Sequence, residues 1–308
     1  MSRTGFNHRV TIVLCFLAIY IIWGTTYYVI VLGLVGFPPF LMAAIRFLLA
    51  GILLAGYSLY KREPFPSKRS LIKNSIIGLV VLAGGQGSLI WAEQYIASGY
   101  ASVLVATIPV WFVVIDRAHW KSYFSNPYII AGLVIGFIGI VLLLKDKLNQ
   151  PMEGESLYLA ISGSAAVIFG AICWVLGTLY NRSRPAPGTM HQNLGWQLIL
   201  GAISCFLISL IMGEYNDPRW FNADLNAWYA VTYLAIAGSI VAYMAYTWLL
   251  NHLPSAIVGT YAYINPVVAV FLSWMLAAEQ ITSMKLIGMA IVLLSAILIN
   301  INRSKAVD

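Results

Sequence analysis

The sequence predicts an all-α polytopic membrane protein with ten transmembrane helices. Of its 308 residues, 60% are hydrophobic and only 9% are charged, and the mean hydropathy is +0.83. A typical soluble domain carries about 25% charged residues, so this chain cannot cover a water-facing surface. Its apolar runs are long and continuous rather than alternating, which argues against an outer-membrane barrel. Hydrocarbon satisfies no backbone polar group, so the runs are predicted to be helices.

Five apolar runs in the first half are bounded by polar residues, glycine or proline, and each approaches the roughly 20 residues of a spanning helix. The run that starts at Val10 follows two basic residues, but it is too long for a signal-peptide core and lacks a small-residue cleavage site. It is therefore predicted to be the first span. The predicted first-half spans are 10–32, 38–60, 71–93, 98–117 and 127–144.

The second half contains five further apolar runs with the same kind of boundaries. They are predicted at 156–180, 190–212, 226–250, 254–276 and 281–301. The longest connecting segments, 60–70, 145–155 and 213–225, are polar and too short to form a soluble domain.

Basic residues are concentrated on one side of the predicted bundle, the side that holds both termini and the loops after spans 2, 4, 6 and 8. Thirteen of the 18 Lys and Arg residues fall there, four fall on the other side, and Arg46 lies within span 2. The positive-inside rule therefore predicts that both termini are cytoplasmic. This bias also accounts for the net charge of +7 without a nucleic-acid partner.

The two halves of the chain share an internal repeat. The matched positions are Ser98 with Ser255, Pro109 with Pro266, Gly132 with Gly288, and Trp23 with Trp174, at offsets of 151 to 157 residues. The pattern predicts two five-helix repeats, 1–150 and 151–308. An odd number of spans per repeat places the repeats in opposite orientations, which is a transporter architecture with its site near the membrane midplane.

Two prolines lie near mid-membrane depth at equivalent positions of spans 4 and 9. Pro109 follows Ser98 by 11 residues, or about 16 Å of helix. Each proline lacks an N–H and releases a carbonyl of the preceding turn. We expect Pro109 and Pro266 to be hinges or part of a cavity wall, the alternative being simple kinks that serve packing.

Polar and aromatic side chains at mid-depth are the candidates for substrate contact. Gln86 lies among glycines in span 3, and Asn265 directly precedes Pro266. Their amides need partners inside the bundle, from either a substrate or a neighbouring helix. Deep rings such as Trp111 and Trp174 would suit the apolar part of a small molecule, although packing alone also explains them.

Charges inside spans are costly and usually face the protein interior. Arg46 lies seven residues after Pro39, roughly 10 Å into span 2. Glu93 and Glu279 lie at the same side of the predicted bundle. We expect Arg46 to pair with one of them in an outer gate, the alternative being that Arg46 extends to the interface.

The sequence contains no signature of an enzyme or a metal site. It has no Walker A loop, no H-E-x-x-H and no G-x-S-x-G. The three cysteines lie within apolar runs and have no redox or metal spacing. No cofactor is expected. Gly132-x-x-x-Gly136 is a close-packing motif, used within the bundle or in a dimer.

These features together resemble the drug/metabolite transporter superfamily, specifically its EamA-type ten-helix branch, and the first half is most similar to its YedA-like members. The resemblance covers nearly the whole chain. Its segments are Trp23-Gly24-Thr25, Arg46-Phe47 with Ala50-Gly51, Trp91-Ala92-Glu93-Gln94, Val105-Ala106-Thr107-Ile108-Pro109-Val110-Trp111, Ile264-Asn265-Pro266-Val267, and Ala278-Glu279 with Leu286-Ile287-Gly288.

The resemblance implies an inner-membrane carrier of a kind that often exports amino acids and related metabolites. Its central cavity would be built from spans 1, 3, 4, 6, 8 and 9. The residues then expected to line it are Trp23, Gln86, Trp111, Trp174, Tyr263 and Asn265.

The sequence therefore predicts a secondary transporter that exports small organic metabolites, foremost amino acids, by alternating access. Membrane lipid and the small-molecule substrate are its expected partners, with proton coupling or substrate exchange left open. A drug or sugar-phosphate carrier of the same fold is the first alternative. A membrane enzyme or a non-transporting assembly factor is the second.

Overall fold

The computed structural model describes residues 3–143, 155–277 and 282–301, which form ten apolar helical segments. The segments are α1 Arg3–Gly36, α2 Pro39–Tyr60, α3 Lys68–Ala92, α4 Ser98–Ile115, α5 Pro127–Leu143, α6 Glu155–Ser183, α7 Met190–Ile211, α8 Leu225–His252, α9 Ser255–Gly259 with Tyr261–Ala277, and α10 Ser283–Ile301.

Length and hydropathy identify the protein as a multi-pass membrane protein. Eight helices within the described ranges are long and apolar enough to cross a membrane. A ninth crossing results if α5 and the preceding Arg117–Phe124, which meet at a bend of 95°, span together. The apolar stretch Ser283–Ile299 of α10 is shorter. The all-α polytopic fold is confirmed, and the tenth crossing stays a prediction.

The two ends of the bundle are distinguished by the loops they hold. We call the end with the start of α1 and the loops 60–68, 115–127, 183–190 and 252–255 the N face. The end with the loops 36–39, 92–98 and 211–225 is the opposite face. Ring contacts support this grouping at the N face, where His8 of α1 lies 5.2 Å from His252 at the end of α8.

The helix pairings follow a two-fold pattern. The most extensive contacts join α2 to α7 and α5 to α10, while α1 packs on α8 and α9, and α6 packs on α3 and α4. Exchanging every helix for the one five places further along the chain maps this set of pairings onto itself. A two-fold relation between equivalent halves produces such self-complementary contacts. The repeat boundaries at 150 and 151 and the inverted orientation of the halves stay predictions.

Glycines bring the paired helices into backbone contact. A Cβ added to Gly51 of α2 would lie 2.8 Å from the backbone nitrogen of Ile199 and 3.0 Å from the Gly195 carbonyl oxygen of α7. In α5, a Cβ on Gly132 would lie 3.3 Å from the Ser295 carbonyl oxygen of α10. The close-packing motif of α5 is therefore used within the bundle.

Two helices that approach the protein centre contain π-helical turns. They occupy Gly78–Gly87 in α3 and Leu234–Val241 in α8 and begin 156 residues apart, which matches the offset of the predicted repeat. π-Helical turns are rare and occur frequently at functional sites, because each one turns the following side chains and frees backbone groups.

The prolines of α4 and α9 lie after breaks in their helices. α4 is interrupted at 106–107, so that Pro109 lies in the first turn of Ile108–Ile115. α9 is interrupted at Thr260, and Pro266 lies inside the following Tyr261–Ala277. At each break a threonine hydroxyl, of Thr107 or Thr260, donates to the carbonyl three residues earlier, at 2.6 and 2.7 Å.

The α2–α7 contact predicts different costs for two glycines of the same helix. Gly51→Ala places its methyl group against backbone atoms of α7, which cannot move aside as a side chain can. We expect a loss of about 1–3 kcal/mol in the free energy of unfolding, measured by unfolding in detergent. Gly56→Ala is the control, since a Cβ there meets nothing within 4 Å. Equal stability of the two variants would contradict the contact.

Candidate functional site

A cavity of about 40 Å³ lies among α1, α3, α4, α6 and α9. Since a cavity needs roughly 10–15 Å³ of accessible volume to hold one water, this cavity has room for about three waters. Four predicted site residues line it: Trp23, Gln86, Trp174 and Asn265. The helices around it belong to both halves of the chain, so the cavity lies between the halves.

Aromatic rings form one side of this cavity. The indoles of Trp23 and Trp174, which occupy matched positions of the predicted repeat, meet edge to face with their centroids 5.6 Å apart and their planes at 84°. The ring centroid of Tyr261 lies 4.7 Å from that of Trp23, and the ring centroid of Tyr246 lies 5.4 Å from that of Trp174. Trp174 Nε1 also donates to the Tyr246 hydroxyl at 3.0 Å. Edge-to-face rings fix one another in place and present a rigid apolar wall.

The two mid-depth amides face the same cavity. Asn265 is buried, its Oδ1 accepts no hydrogen bond from any described residue, and its amide lies beside the Tyr27 hydroxyl. Gln86 is half-buried on α3, within the π-helical segment. An unpaired amide oxygen removed from water costs about 1–3 kcal/mol, which a ligand that donates to it would recover.

Two residues expected at the cavity lie elsewhere. The indole of Trp111 donates to Thr107 Oγ1 of its own helix at 3.1 Å, and Trp111 is not part of the cavity wall. Tyr263 is fully buried against α5 and donates to the Leu133 carbonyl at 3.0 Å. The hydrogen bond of Tyr263 therefore connects α9 with α5. Depth along a helix places both residues near the midplane, but their direction around the helix axis differs from that of Asn265.

Arg46 is 2% exposed, and its neighbours differ from those expected. Its Nε donates to Ser239 Oγ of α8 at 2.8 Å, and its Nη1 has no partner among the described residues. Glu93 is also buried, and neither of its oxygens accepts a hydrogen bond there. The expected Arg46–Glu93 pair is thus not formed in this conformation. Glu279 lies outside the described residues.

Buried hydrogen bonds connect the helices between the cavity and the N face. Tyr243 donates to Gln197 Oε1 at 3.0 Å, and Gln197 Nε2 donates to Asn74 Oδ1 at 3.2 Å. Asn74 Nδ2 continues to Asn193 Oδ1 at 3.0 Å. The chain of bonds joins α8, α7 and α3. Its members satisfy one another inside an apolar bundle, so the network fixes how these helices pack.

The opposite face has a wider recess of about 470 Å³ between the loops after α1, α3 and α7. Glu214 accepts hydrogen bonds from the backbone of Phe40 and Leu41 at 3.2 and 2.8 Å, which satisfies the free N–H groups at the start of α2. Arg219 donates to the Leu34 carbonyl at 3.1 Å. Hydrogen bonds from the Arg219 side chain hold the pKa of Asp217 below its ordinary value.

Four tyrosines near the site were not among the predicted site residues, and one of them is Tyr261, which packs on Trp23. Tyr27 lies four residues after Trp23 on α1 and lines the same cavity. Tyr243 and Tyr246 are three residues apart on α8, and their ring centroids lie 6.4 Å apart beside Trp174. The i+4 spacing places Tyr27 on the same face of α1 as Trp23, so this signal identifies Tyr27 once Trp23 is chosen. No such spacing connects the two tyrosines of α8 with Trp174, which lies on α6. The described residues contain no cluster suited to a metal ion.

The network near the N face predicts a stability difference between two glutamines. Gln197→Leu leaves the Tyr243 hydroxyl and Asn74 Oδ1 buried without partners. We expect it to lower the free energy of unfolding by about 1–3 kcal/mol. Gln94→Leu is the matched control, because Gln94 is exposed and bonds only a carbonyl of its own turn, that of Trp91. Unfolding in detergent measures both, and equal losses would show that the network adds nothing.

Comparisons with known proteins agree with this architecture. The chain is 33% identical over 287 residues to the "Uncharacterized inner membrane transporter YedA" of Escherichia coli K12, covering 93% of this chain and 89% of that protein. It is 25% identical over 292 residues to the "Probable amino-acid metabolite efflux pump" of Salmonella typhimurium, covering 92% and 93%.

A solved crystal structure superposes on 97% of this chain and 99% of its own, with a TM-score of 0.74 at 17% identity, which shows a shared fold. The EamA-like transporter family model matches residues 10–145 and 161–301, so the model covers most of both halves. The chain belongs to the EamA-like transporter family.

Proposed function

We propose that this transporter exports small organic metabolites, foremost amino acids, across an inner membrane by alternating access. The observation that carries the proposal is the cavity between the halves, with an aromatic wall and the unpaired amide oxygen of Asn265. The names of the Escherichia coli and Salmonella relatives support an inner-membrane location and amino-acid metabolites as cargo.

The rings suit the apolar part of a cargo molecule, and the amides suit its polar part. Trp23, Trp174 and Tyr261 present apolar surface to the cavity, whereas Gln86 and Asn265 present hydrogen-bonding groups. Small-molecule sites commonly combine a mainly apolar wall with a few placed polar groups. The same cavity has no clustered nucleophile, acid and base, so binding explains it better than catalysis does.

Loading this cavity requires a conformational change. A volume of about 40 Å³ is too small for an amino acid, so the cavity must widen before cargo can enter it. The breaks of α4 and α9, near Pro109 and Pro266, are the places where the helices can bend. Alternating access would rock the two halves about these positions. Both termini would lie in the cytoplasm, with the N face as the cytoplasmic side.

The proposal predicts that two cavity variants lose transport. Gln86→Ala removes an amide and Trp174→Ala removes half of the Trp pair, so we expect at least about a tenfold lower amino-acid flux in proteoliposomes. Thermal unfolding in detergent separates this loss from misfolding. Trp120→Ala is the control for Trp174→Ala, because Trp120 is 40% exposed near the N face.

Wild-type flux from both cavity variants would sink the site assignment. Flux that falls equally in Trp120→Ala would mean that general loss of aromatic surface, and not the cavity, controls the rate. Absence of any organic solute flux through the folded wild-type protein would overturn the proposed function itself.

A further inference from the structure

Glu93 lies at the end of α3, between the central cavity and the recess at the opposite face. Leu89 lines the cavity, whereas Trp91, Gln94 and Tyr95 line the recess. Glu93 follows Leu89 by four residues, so it lies one helical turn further toward the opposite face on the same side of the helix. Glu93 itself borders neither space. Its side chain therefore belongs to the layer of protein that separates the two spaces.

The carboxyl group of Glu93 is buried without a partner. The residue is 7% exposed, and neither of its oxygens accepts a hydrogen bond. No nitrogen of a Lys, Arg or His side chain in the described ranges lies within 4.0 Å of the carboxyl group. A carboxylate removed from water in this way is strongly unfavourable, and such a group becomes neutral by binding a proton. The buried position therefore suits the protonated acid and not the carboxylate.

The charged side chains on the elements around Glu93 interact with other groups. On α2, Arg46 donates to a serine of α8. In the loop after α7, Arg219 forms an ion pair with Asp217 at 2.6 Å, and Glu214 accepts from the backbone at the start of α2. None of these groups neutralises the Glu93 carboxyl, which leaves a proton as the cation that can do so.

Tyr27 of α1 is the titratable neighbour of Glu93. Its hydroxyl lies beside the amide of Asn265 and close enough to Glu93 for the two groups to interact electrostatically. Tyr27 also lines the central cavity. On the α6 side, a Cβ on Gly163 would lie 3.5 Å from the Ala92 carbonyl oxygen, so α6 passes this end of α3 with an uncharged, closely packed surface. Tyr27 is thus the side chain through which Glu93 is linked to the cavity.

We propose that Glu93 is a proton-binding site, which keeps the layer between the cavity and the recess shut while it is protonated and releases the proton when the layer opens. Opening admits water, and a hydrated glutamic acid is ionised near neutral pH. The O–H bond of the carboxyl group then breaks, the proton passes to water in the recess, and the carboxylate stays on the protein. The inference rests on the alternating access of the proposed function.

The direction of the pH effect follows from the number of protons bound. The shut layer binds one proton more than the open one, so low pH at the opposite face stabilises the shut layer and high pH favours opening. For one proton, the ratio of open to shut molecules rises up to about tenfold per pH unit. This holds over the pH range in which hydrated glutamate is ionised and the buried acid is not.

Infrared spectroscopy of the purified full-length protein tests the bound proton without relying on flux. We expect the wild type at about pH 7 to show the C=O stretch of a protonated carboxylic acid, and Glu93→Gln to lose that absorption. Glu63→Gln is the matched control, because hydrogen bonds from Ser58 and Thr189 hold the pKa of Glu63 below its ordinary value. Its removal should leave the absorption unchanged. An unchanged absorption in Glu93→Gln overturns the inference.

Thiol labelling tests the opening. Leu89→Cys, in a chain whose three native cysteines are replaced by alanine, is labelled in intact cells by a membrane-impermeant maleimide. Gln94→Cys in the same background is the control, because Gln94 is exposed in the recess and reports the reactivity of an accessible thiol at each pH. The rate for Leu89→Cys relative to Gln94→Cys should rise up to about tenfold per pH unit between about pH 6 and about pH 8.

Adding Glu93→Gln should make this ratio independent of pH, whereas Glu93→Asp, which keeps a carboxyl group, should retain the dependence. A pH-independent ratio in the Glu93 background, an equal dependence in Glu93→Gln, or no labelling of Leu89→Cys at any pH overturns the inference. Flux of organic solutes through the wild-type protein would leave the proposed function standing in each of these cases.

Discussion

Hydrocarbon offers no hydrogen bonds, and this constraint governs how every polar group of the bundle is arranged. Backbone groups are satisfied within the helices, and where α4 and α9 are interrupted, the hydroxyls of Thr107 and Thr260 bond nearby carbonyls. Side chains such as Gln197 and Asn74 satisfy one another. Against this background the exceptions among the described residues are buried atoms of Arg46, Glu93, Asn265 and Ser295 that have no hydrogen-bond partner. Two of these residues, Arg46 and Asn265, line cavities at the centre of the bundle.

Glycine contacts and helix irregularities are distributed unequally over the helices of the bundle. Glycines bring α2 against α7 and α5 against α10 at backbone distance, so these pairs form tight contacts with little room between them. Glycines also bring α3 against α6, since a Cβ on Gly170 would lie 2.7 Å from the Gly85 carbonyl oxygen. The helices α1, α3, α4, α6 and α9 enclose the cavity. π-Helical turns and breaks occur in the helices at the centre and not in α2 or α7. α3 therefore combines close glycine packing with π-helical turns, whereas α2 and α7 have the close packing without such turns.

Sequence reasoning succeeds here where a property depends on depth and fails where it depends on direction. Composition, continuous apolar runs and family motifs indicate an all-α membrane transporter. Trp23 and Trp174, which the predicted repeat matches at an offset of 151 residues, are in ring contact. Trp111 and Tyr263 share the depth of Asn265 but point elsewhere, because a helix side chain turns about 100° per residue. The contact of Arg46 with Ser239 could not be predicted either, because the π-helical turns of α8 that position Ser239 have no clear sequence signal.

The pairing of α2 with α7 and α5 with α10 has a consequence for biosynthesis. As the chain emerges from the ribosome, α2 and α5 enter the membrane long before their partners are made. Until those partners exist, the glycine-bearing faces of α2 and α5 lack the helices that pack against them at backbone distance in the folded protein. The first half therefore remains an incomplete intermediate during synthesis. Its assembly is finished only when α10, the last helix of the second half and the partner of α5, has been synthesised.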